Sequence, residues 1–387
     1  MKDLHKTVAN TFLELADALE SGRFGQVKVA VTGIGSEHGE ENVLQGAIAA
    51  AKRGVEVYFI GSIDVPADSG VKKVEAHDED SCFQAMEELL DKGEVQAAVA
   101  MHYPFPIGVS TVGRVVCPAT GKEMFLATTT GTSATELVES LVRNAIAGVA
   151  TAKACGIKEP TVGLLNLNGA RQAEMILKEL KEKGYPIKFA ETARADGGMI
   201  MRGNDLLQGS ADVMVMDTLT GNAIIKLFAA YTSGGGFETT GYGYGPGVGK
   251  GYDRKVLIIS RASGAPLIAN ALIYASDLVN GELRDKVDTE IKAAEKAGLE
   301  EIIKGRQKQA SDKSSAEEVK CPEAEPVAEQ IPGIDVLDLE DAVRVLWKEN
   351  IYAESGMGCT GPIIRVAADK LTKSRELLAA AGYIDEA

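Results

Sequence analysis

The apolar positions of this chain fall into two spacings. Short runs rich in β-branched residues recur at 27–32, 55–60, 95–100, 161–165, 187–190, 212–216 and 255–260. Between them, at 41–53, 82–92, 134–155, 170–183, 221–230 and 266–278, apolar residues return every three to four positions. The first spacing suits strands and the second helices. Their alternation predicts an α/β fold, a doubly wound and mainly parallel sheet with helices on both faces. Such sheets carry their sites at the carboxyl ends of strands. A further helix is expected over 3–22, with Phe12, Leu13, Leu15 and Ala16 among its apolar positions.

Beyond residue 280 the pattern changes. A highly charged helical stretch covers 281–307, and 308–333 is rich in Lys, Glu, Ser, Ala and Pro with few large apolar residues. That composition predicts a linker or exposed excursion. The next apolar helix is expected at 336–347. After it comes Gly356-Met357-Gly358-Cys359-Thr360-Gly361-Pro362, expected to open a helix over about 361–382. The chain thus divides into an α/β body (1–280), a charged helix and linker (281–333) and a helical, cysteine-bearing C-terminal unit (334–387).

At 387 residues the chain exceeds what one simple core accommodates, and two or three domains or subdomains are expected. It carries 41 Lys and Arg against 56 Asp and Glu, a formal charge of −15. That balance argues against a nucleic-acid partner, since phosphate backbones call for a basic surface, yet leaves room for local anion sites. No apolar run approaches the ~18 residues that span a bilayer. Met1-Lys2-Asp3 leads into an amphipathic pattern, not a signal sequence, so a cytoplasmic protein with no membrane partner is expected. Five widely spaced cysteines with no C-x-x-C pair, and only four histidines, speak against a disulfide framework and against a zinc site.

Cys359 is the first chemical candidate. Pro362 suits a first helical turn, so the thiol is expected beside a helix N-terminus, where unpaired N–H groups and the dipole favour thiolate. Its glycine neighbours would let another molecule approach the sulfur. The alternative is an inert cysteine buried in a Gly-rich turn. Cys82, Cys117, Cys155 and Cys321 are expected to be structural or solvated, with Cys117 near a strand end.

Three Gly- or Thr-rich segments follow. Gly33-Ile34-Gly35 with Gly39 and Asp64 faintly resembles a dinucleotide fingerprint, but Glu37, Glu40 and Glu41 are poor neighbours for pyrophosphate, and a helix-start turn lining a cleft is the better reading. Thr128-Thr129-Thr130-Gly131-Thr132-Ser133 follows the strand-like 125–127 and precedes a helix; it is either an anion cradle or plain N-capping by Thr132 or Ser133. The stretch 234–251 holds nine glycines with Phe237, Tyr242 and Tyr244. It is not a Walker A loop, because Tyr244 stands where the first glycine should and Gly251 follows Lys250. A mobile lid or docking loop is expected there.

Several segments together resemble a known family. They are Thr161–Leu165 running into Asn166, Leu167, Asn168 and Gly169; Ala211-Asp212 leading to Asp217, Gly221, Asn222 and Lys226; and Ser263-Gly264-Ala265-Pro266-Leu267. This series is similar to the PlsX acyl-phosphate family, related to the phosphotransacetylases with their isocitrate dehydrogenase-like fold in two subdomains. PlsX proteins lack the Cys359 segment. A PlsX-like body with such an extension resembles the smaller subunit of component C of glycine/sarcosine/betaine reductase, and with that family the match runs nearly end to end.

The resemblance implies a larger ketoacyl-synthase-like partner subunit, a second partner in selenoprotein A, and release of acetyl phosphate. It implies no cofactor, with inorganic phosphate as co-substrate. It maps the acyl-accepting thiol onto Cys359. A thiolate holds an acetyl group as a thioester, phosphate then attacks it, and backbone N–H groups from Gly358 through Thr360 to Gly361 are placed to steady the oxyanion. The phosphate ligands to look for are Thr130, Gly131, Thr132, Asn166, Asn222 and Lys226, with Asp217 orienting Lys226 or Asn222. For each a plain structural role is the alternative: Asn166 capping a turn, Lys226 a solvated helix residue. Two other functions stay open: a stand-alone acyl:phosphate transferase without a covalent cysteine, and a non-catalytic scaffold.

Overall fold

The computed structural model describes residues 26–194, 197–314, 319–336, 338–358 and 361–384. The helix expected over 3–22 lies outside these residues, as do Cys359 and Thr360. Along the body the elements are β1 (Lys28–Thr32), α1 (Gly39–Ala51), β2 (Glu56–Gly61), β3 (Val71–Glu75), α2 (Glu79–Asp91), β4 (Ala97–Ala100), β5 (Val109–Val116), β6 (Glu123–Thr132), α3 (Leu137–Ala154), β7 (Thr161–Leu165) and α4 (Ala170–Glu182). Then come β8 (Lys188–Phe189), β9 (Ile200–Met201), α5 (Gly203–Gln208), β10 (Val213–Val215), α6 (Thr218–Ala230), β11 (Gly245–Gly249), β12 (Val256–Ile258) and α7 (Ala265–Asn280). The remainder comprises α8 (Leu283–Lys296), α9 (Leu299–Ser314), β13 (Glu329–Pro332), α10 (Leu339–Lys348), β14 (Ala353–Gly358), β15 (Gly361–Val366) and α11 (Leu371–Ala380).

The body is built on one sheet in the order β3-β2-β1-β4-β12-β11-β5-β6-β10-β7-β8, with β9 also beside β7. It is mixed, not uniformly parallel. The wing from β3 to β12 is parallel, and so is the wing from β6 to β8. Between them β11 and β5 pair antiparallel with both neighbours, so the wings run in opposite senses. Helices cover both faces, which is why Val29, Ala30 and Val31 are all buried without alternation.

The glycine-rich segment supplies the joint. The expected lid is instead, over 245–249, a central strand. A β-carbon on Gly245 would overlap the Val112 carbonyl oxygen, so glycine is what lets β11 lie against β5. Behind the joint, Tyr274 of α7 is fully buried and donates its hydroxyl to the Val112 carbonyl at 2.9 Å.

The charged stretch after residue 280 packs on the body. Leu283, Val287, Ala294, Leu299, Ile302 and Ile303 join the main core. Glu290 of α8 is buried but satisfied, paired with Lys153 Nζ at 2.5 Å and accepting from the Tyr185 hydroxyl at 3.0 Å. The stretch expected as linker contributes β13 to a second sheet, β13-β15-β14, which is antiparallel. With α10 and α11 it encloses a separate core around Ile331, Val343, Leu346, Ile364, Val366 and Leu378. The helix expected from 361 is therefore a correction: 361–366 is a strand and helix resumes only at Leu371. Ile363, Ile364 and Val366 are β-branched, and they pack better on a pleated surface than in a helix.

Candidate functional site

A cleft of about 400 Å³ opens where the two wings meet. One wing brings Met101 and His102, just past β4, and Ser260 and Arg261, just past β12; the other brings Thr130 of β6 and Asn222 and Lys226 of α6. Tyr244, entering β11, and Glu37, from the turn after β1, complete the wall. The β1 turn is thus a helix-start turn lining the cleft, as expected.

Helix α6 begins at Asp217, whose carboxylate accepts from the Thr220 N–H at 2.9 Å and the Thr220 hydroxyl at 2.6 Å. Asp217 is therefore an N-cap, and its described partners include neither Lys226 nor Asn222. One turn on, Gly221 lets the helix touch β6, since a β-carbon there would overlap the Thr128 carbonyl oxygen. That contact places Asn222, whose Nδ2 donates to the Thr129 carbonyl at 3.2 Å. Its second amide hydrogen stays available. Four residues later the same face presents Lys226, exposed and without an ion pair among the described residues.

The threonine run is not a turn before a helix. Strand β6 continues to Thr132, with a cis peptide at Ala127–Thr128. The Thr128 hydroxyl donates to the Thr111 carbonyl at 2.6 Å, and that of Thr129 to the Tyr244 carbonyl at 2.7 Å. The Thr130 N–H is bound by the Thr111 hydroxyl at 2.9 Å. Helix α3 is capped by Glu136, which accepts from Val138 and Glu139, and not by Thr132 or Ser133. The run therefore offers Thr130 to the cleft and no cradle of free N–H groups. Gly131 lies beneath α6, its carbonyl accepting from the Thr218 hydroxyl at 2.8 Å; Thr132 is exposed, and neither lines the cleft. Asn166, exposed at the end of β7, is also not a cleft residue.

Arg261, His102 and Glu238 were not singled out by the sequence. Arg261 grips Glu79 with two hydrogen bonds, 2.8 and 2.6 Å, and donates to the Gly35 carbonyl at 3.0 Å. The bond to Arg261 holds the Glu79 carboxyl below its ordinary range. Glu238 lies behind the wall, 5% exposed, its N–H on the Ala262 carbonyl and its carbonyl on the Gly264 N–H. Burial raises its carboxyl, while a hydrogen bond from Ser260 and the charge of Lys226 oppose the rise. The available signal was position: His102 and Arg261 stand immediately beyond strands 95–100 and 255–260, at the carboxyl ends where sites gather.

Burial raises the thiols of the cysteines within the body. Cys117 is pushed up to about 11 and Cys155 to about 12, and that of Cys82 is also raised. Cys82 and Cys117 are buried, Cys155 is partly buried and Cys321 is exposed. Cys359 lies outside the described residues; on either side of it Gly358 of β14 pairs with Gly361 of β15. No helix begins at Pro362, and the dipole argument for a low-pKa thiol does not apply there.

Among the described residues no helix is long and apolar enough to cross a membrane. The model of the family described as "Fatty acid synthesis protein" matches residues 27–365. The glycine/sarcosine/betaine reductase complex component C subunit alpha of Peptoclostridium acidaminophilum is 54% identical over 387 residues, 99% of this chain and 100% of that protein. A phosphate acyltransferase of Thermus thermophilus is 29% identical over 52% of this chain and 70% of its own. A branched-chain phosphotransacylase of Enterococcus faecalis V583 superposes with a TM-score of 0.45 at 19% identity, over 66% of this chain and 99% of that one. The chain belongs to the PlsX-like fatty acid synthesis protein family and, within it, to the family of the component C alpha subunits of glycine/sarcosine/betaine reductase.

Proposed function

We propose that this chain is the acyl-phosphate-forming subunit of a reductase complex of that type. Inorganic phosphate binds in the cleft against Lys226 Nζ, the free amide hydrogen of Asn222 and the Thr130 hydroxyl. The acyl group is carried as a thioester on Cys359. A phosphate oxygen attacks the thioester carbonyl; the new C–O bond forms, the C–S bond breaks, and the electron pair leaves on sulfur as thiolate. Acetyl phosphate departs. Backbone N–H groups between Gly358 and Gly361 steady the oxyanion. In this reading the 1–280 body holds phosphate, the 334–387 unit carries the thiol, and 281–333 joins them. The larger ketoacyl-synthase-like subunit and selenoprotein A are the partners that deliver the acyl group, in the cytoplasm.

The observation that carries the reading is the convergence of Asn222, Lys226 and Thr130 on one cleft. The test runs the reaction backwards. The protein is incubated with acetyl phosphate, alone and with the larger subunit, trapped in acid and mapped by mass. Acetyl on Cys359, released by phosphate, is the expected result. An active complex with no adduct, or acyl-phosphate synthesis retained in Cys359→Ala, would mean direct transfer without a covalent cysteine. A chain that neither binds phosphate nor accepts acetyl would be a scaffold.

A further inference from the structure

The cleft wall carries two opposite charges that do not meet. Lys226 lines it from α6 and Glu37 from the turn after β1. Both are exposed, and among the described residues neither side chain forms an ion pair or a hydrogen bond, with the other or with a third group. The neighbouring charges are taken. Arg261 is held by Glu79. Of the other carboxylates in the β1 turn, Glu40 accepts from the Ser62 N–H at 2.7 Å and the Ser62 hydroxyl at 2.6 Å, and Glu41 does not line the cleft. Glu37 is fixed through its backbone, whose N–H donates to the Arg261 carbonyl at 2.9 Å. The buried Glu238 behind the wall lies within range of both charges, that of Lys226 and that of Glu37.

We infer that Glu37 makes the cleft selective for a tetrahedral anion that carries a proton, so that hydrogen phosphate is taken and sulfate is rejected. The inference rests on the reading of the cleft as a phosphate site. An ammonium only donates and an ionised carboxylate only accepts, so a ligand spanning Lys226 and Glu37 must accept at one end and donate at the other. Hydrogen phosphate does both, through its bare oxygens and its O–H. Sulfate has the same shape and the same double charge but no O–H. Seated on Lys226, it would turn a bare oxygen toward Glu37, like charge against like with no hydrogen between them. Glu238 does not duplicate this role. Burial favours its neutral form, and a neutral carboxyl donates to either anion.

The test is equilibrium binding of inorganic phosphate, arsenate and sulfate to the full chain by calorimetry, at matched ionic strength. At about pH 7.5 the first two keep an O–H and sulfate has none. From one hydrogen bond to a charged group, phosphate and arsenate should bind at least about tenfold more tightly than sulfate. In Glu37→Gln, whose amide donates as well as accepts, the ratio should fall to about threefold or less, chiefly because sulfate gains. Glu37 is exposed, so this variant carries little risk to folding. Lys226→Met should weaken all three anions alike. If sulfate binds the parent as tightly as phosphate and both depend on Lys226, the selectivity is wrong and the phosphate reading stands. A ratio that survives Glu37→Gln, or that collapses instead in Glu238→Gln, places the acceptor elsewhere and also overturns the inference. If neither phosphate nor arsenate binds, both readings fall.

Discussion

The backbone of Gly221 lies against the carbonyl oxygen of Thr128 so closely that no β-carbon fits between them. Everything the cleft draws from α6 depends on that contact. Gly221→Ala should lift the helix off β6 and carry Asn222 and Lys226 with it. Overpacking of this kind costs about 1–3 kcal/mol. We expect a matching drop in urea stability and at least tenfold weaker phosphate binding by calorimetry.

Lys226 separates binding from folding. It is solvent-exposed and unpaired among the described residues, so Lys226→Met should leave the melting temperature within a degree or two. Loss of a charged hydrogen bond worth about 1.5–3 kcal/mol should weaken phosphate roughly ten- to hundredfold. Unchanged phosphate affinity would make Lys226 a solvated helix residue.

Asp217 should behave as a cap. Asp217→Ala should cost about 1 kcal/mol of stability, and Asp217→Asn much less, since asparagine caps almost as well. If Asp217 instead oriented Lys226 by charge, the asparagine variant would lose phosphate affinity at full stability.

The thiols should divide sharply under iodoacetamide at pH 8. Cys117, Cys155 and Cys82 are held protonated by burial and should label only in denaturant. Cys321 is exposed and should label at an ordinary rate. Peptide mapping then isolates Cys359, whose rate relative to Cys321 measures directly whether its thiol is activated.

Glu238 sets a pH dependence of known sign. Its carboxyl is raised by burial, so the folded state holds the proton more tightly than the unfolded chain does. Its contribution is full below the ordinary carboxyl value near 4.3 and is lost as pH rises through the folded value. Glu238→Gln should therefore be more stable than the parent at pH 7–8, with the difference closing below about pH 4. A gap that widens in acid would mean that Lys226 outweighs burial.

Much of the body was legible because its helices run for several turns and its short parallel strands, covered on both faces, read as unbroken apolar runs. Asn222 and Lys226 were named through the family resemblance and not from any local pattern; the structure sets them one turn apart on α6. Arg261 was not legible, because the carboxylate that holds it, Glu79, lies 182 residues away in the chain. The C-terminal hairpin was misread for a different reason. Ile363, Ile364, Ala367 and Leu371 satisfy helical spacing, while the pairing that makes 361–366 a strand comes from β14 and from β13, far back in an apparently unstructured stretch. Strand β11 offered no side-chain period at all, because three of its five residues are glycine.

The joint between the wings has a consequence for solvent. Because β11 and β5 bond both wings into one continuous ladder, the opposing banks of the cleft are tied through backbone hydrogen bonds and approach each other only as far as the sheet twists. On the proposed reading, an acyl phosphate formed there is shielded from water by what covers the mouth and not by the paired strands alone.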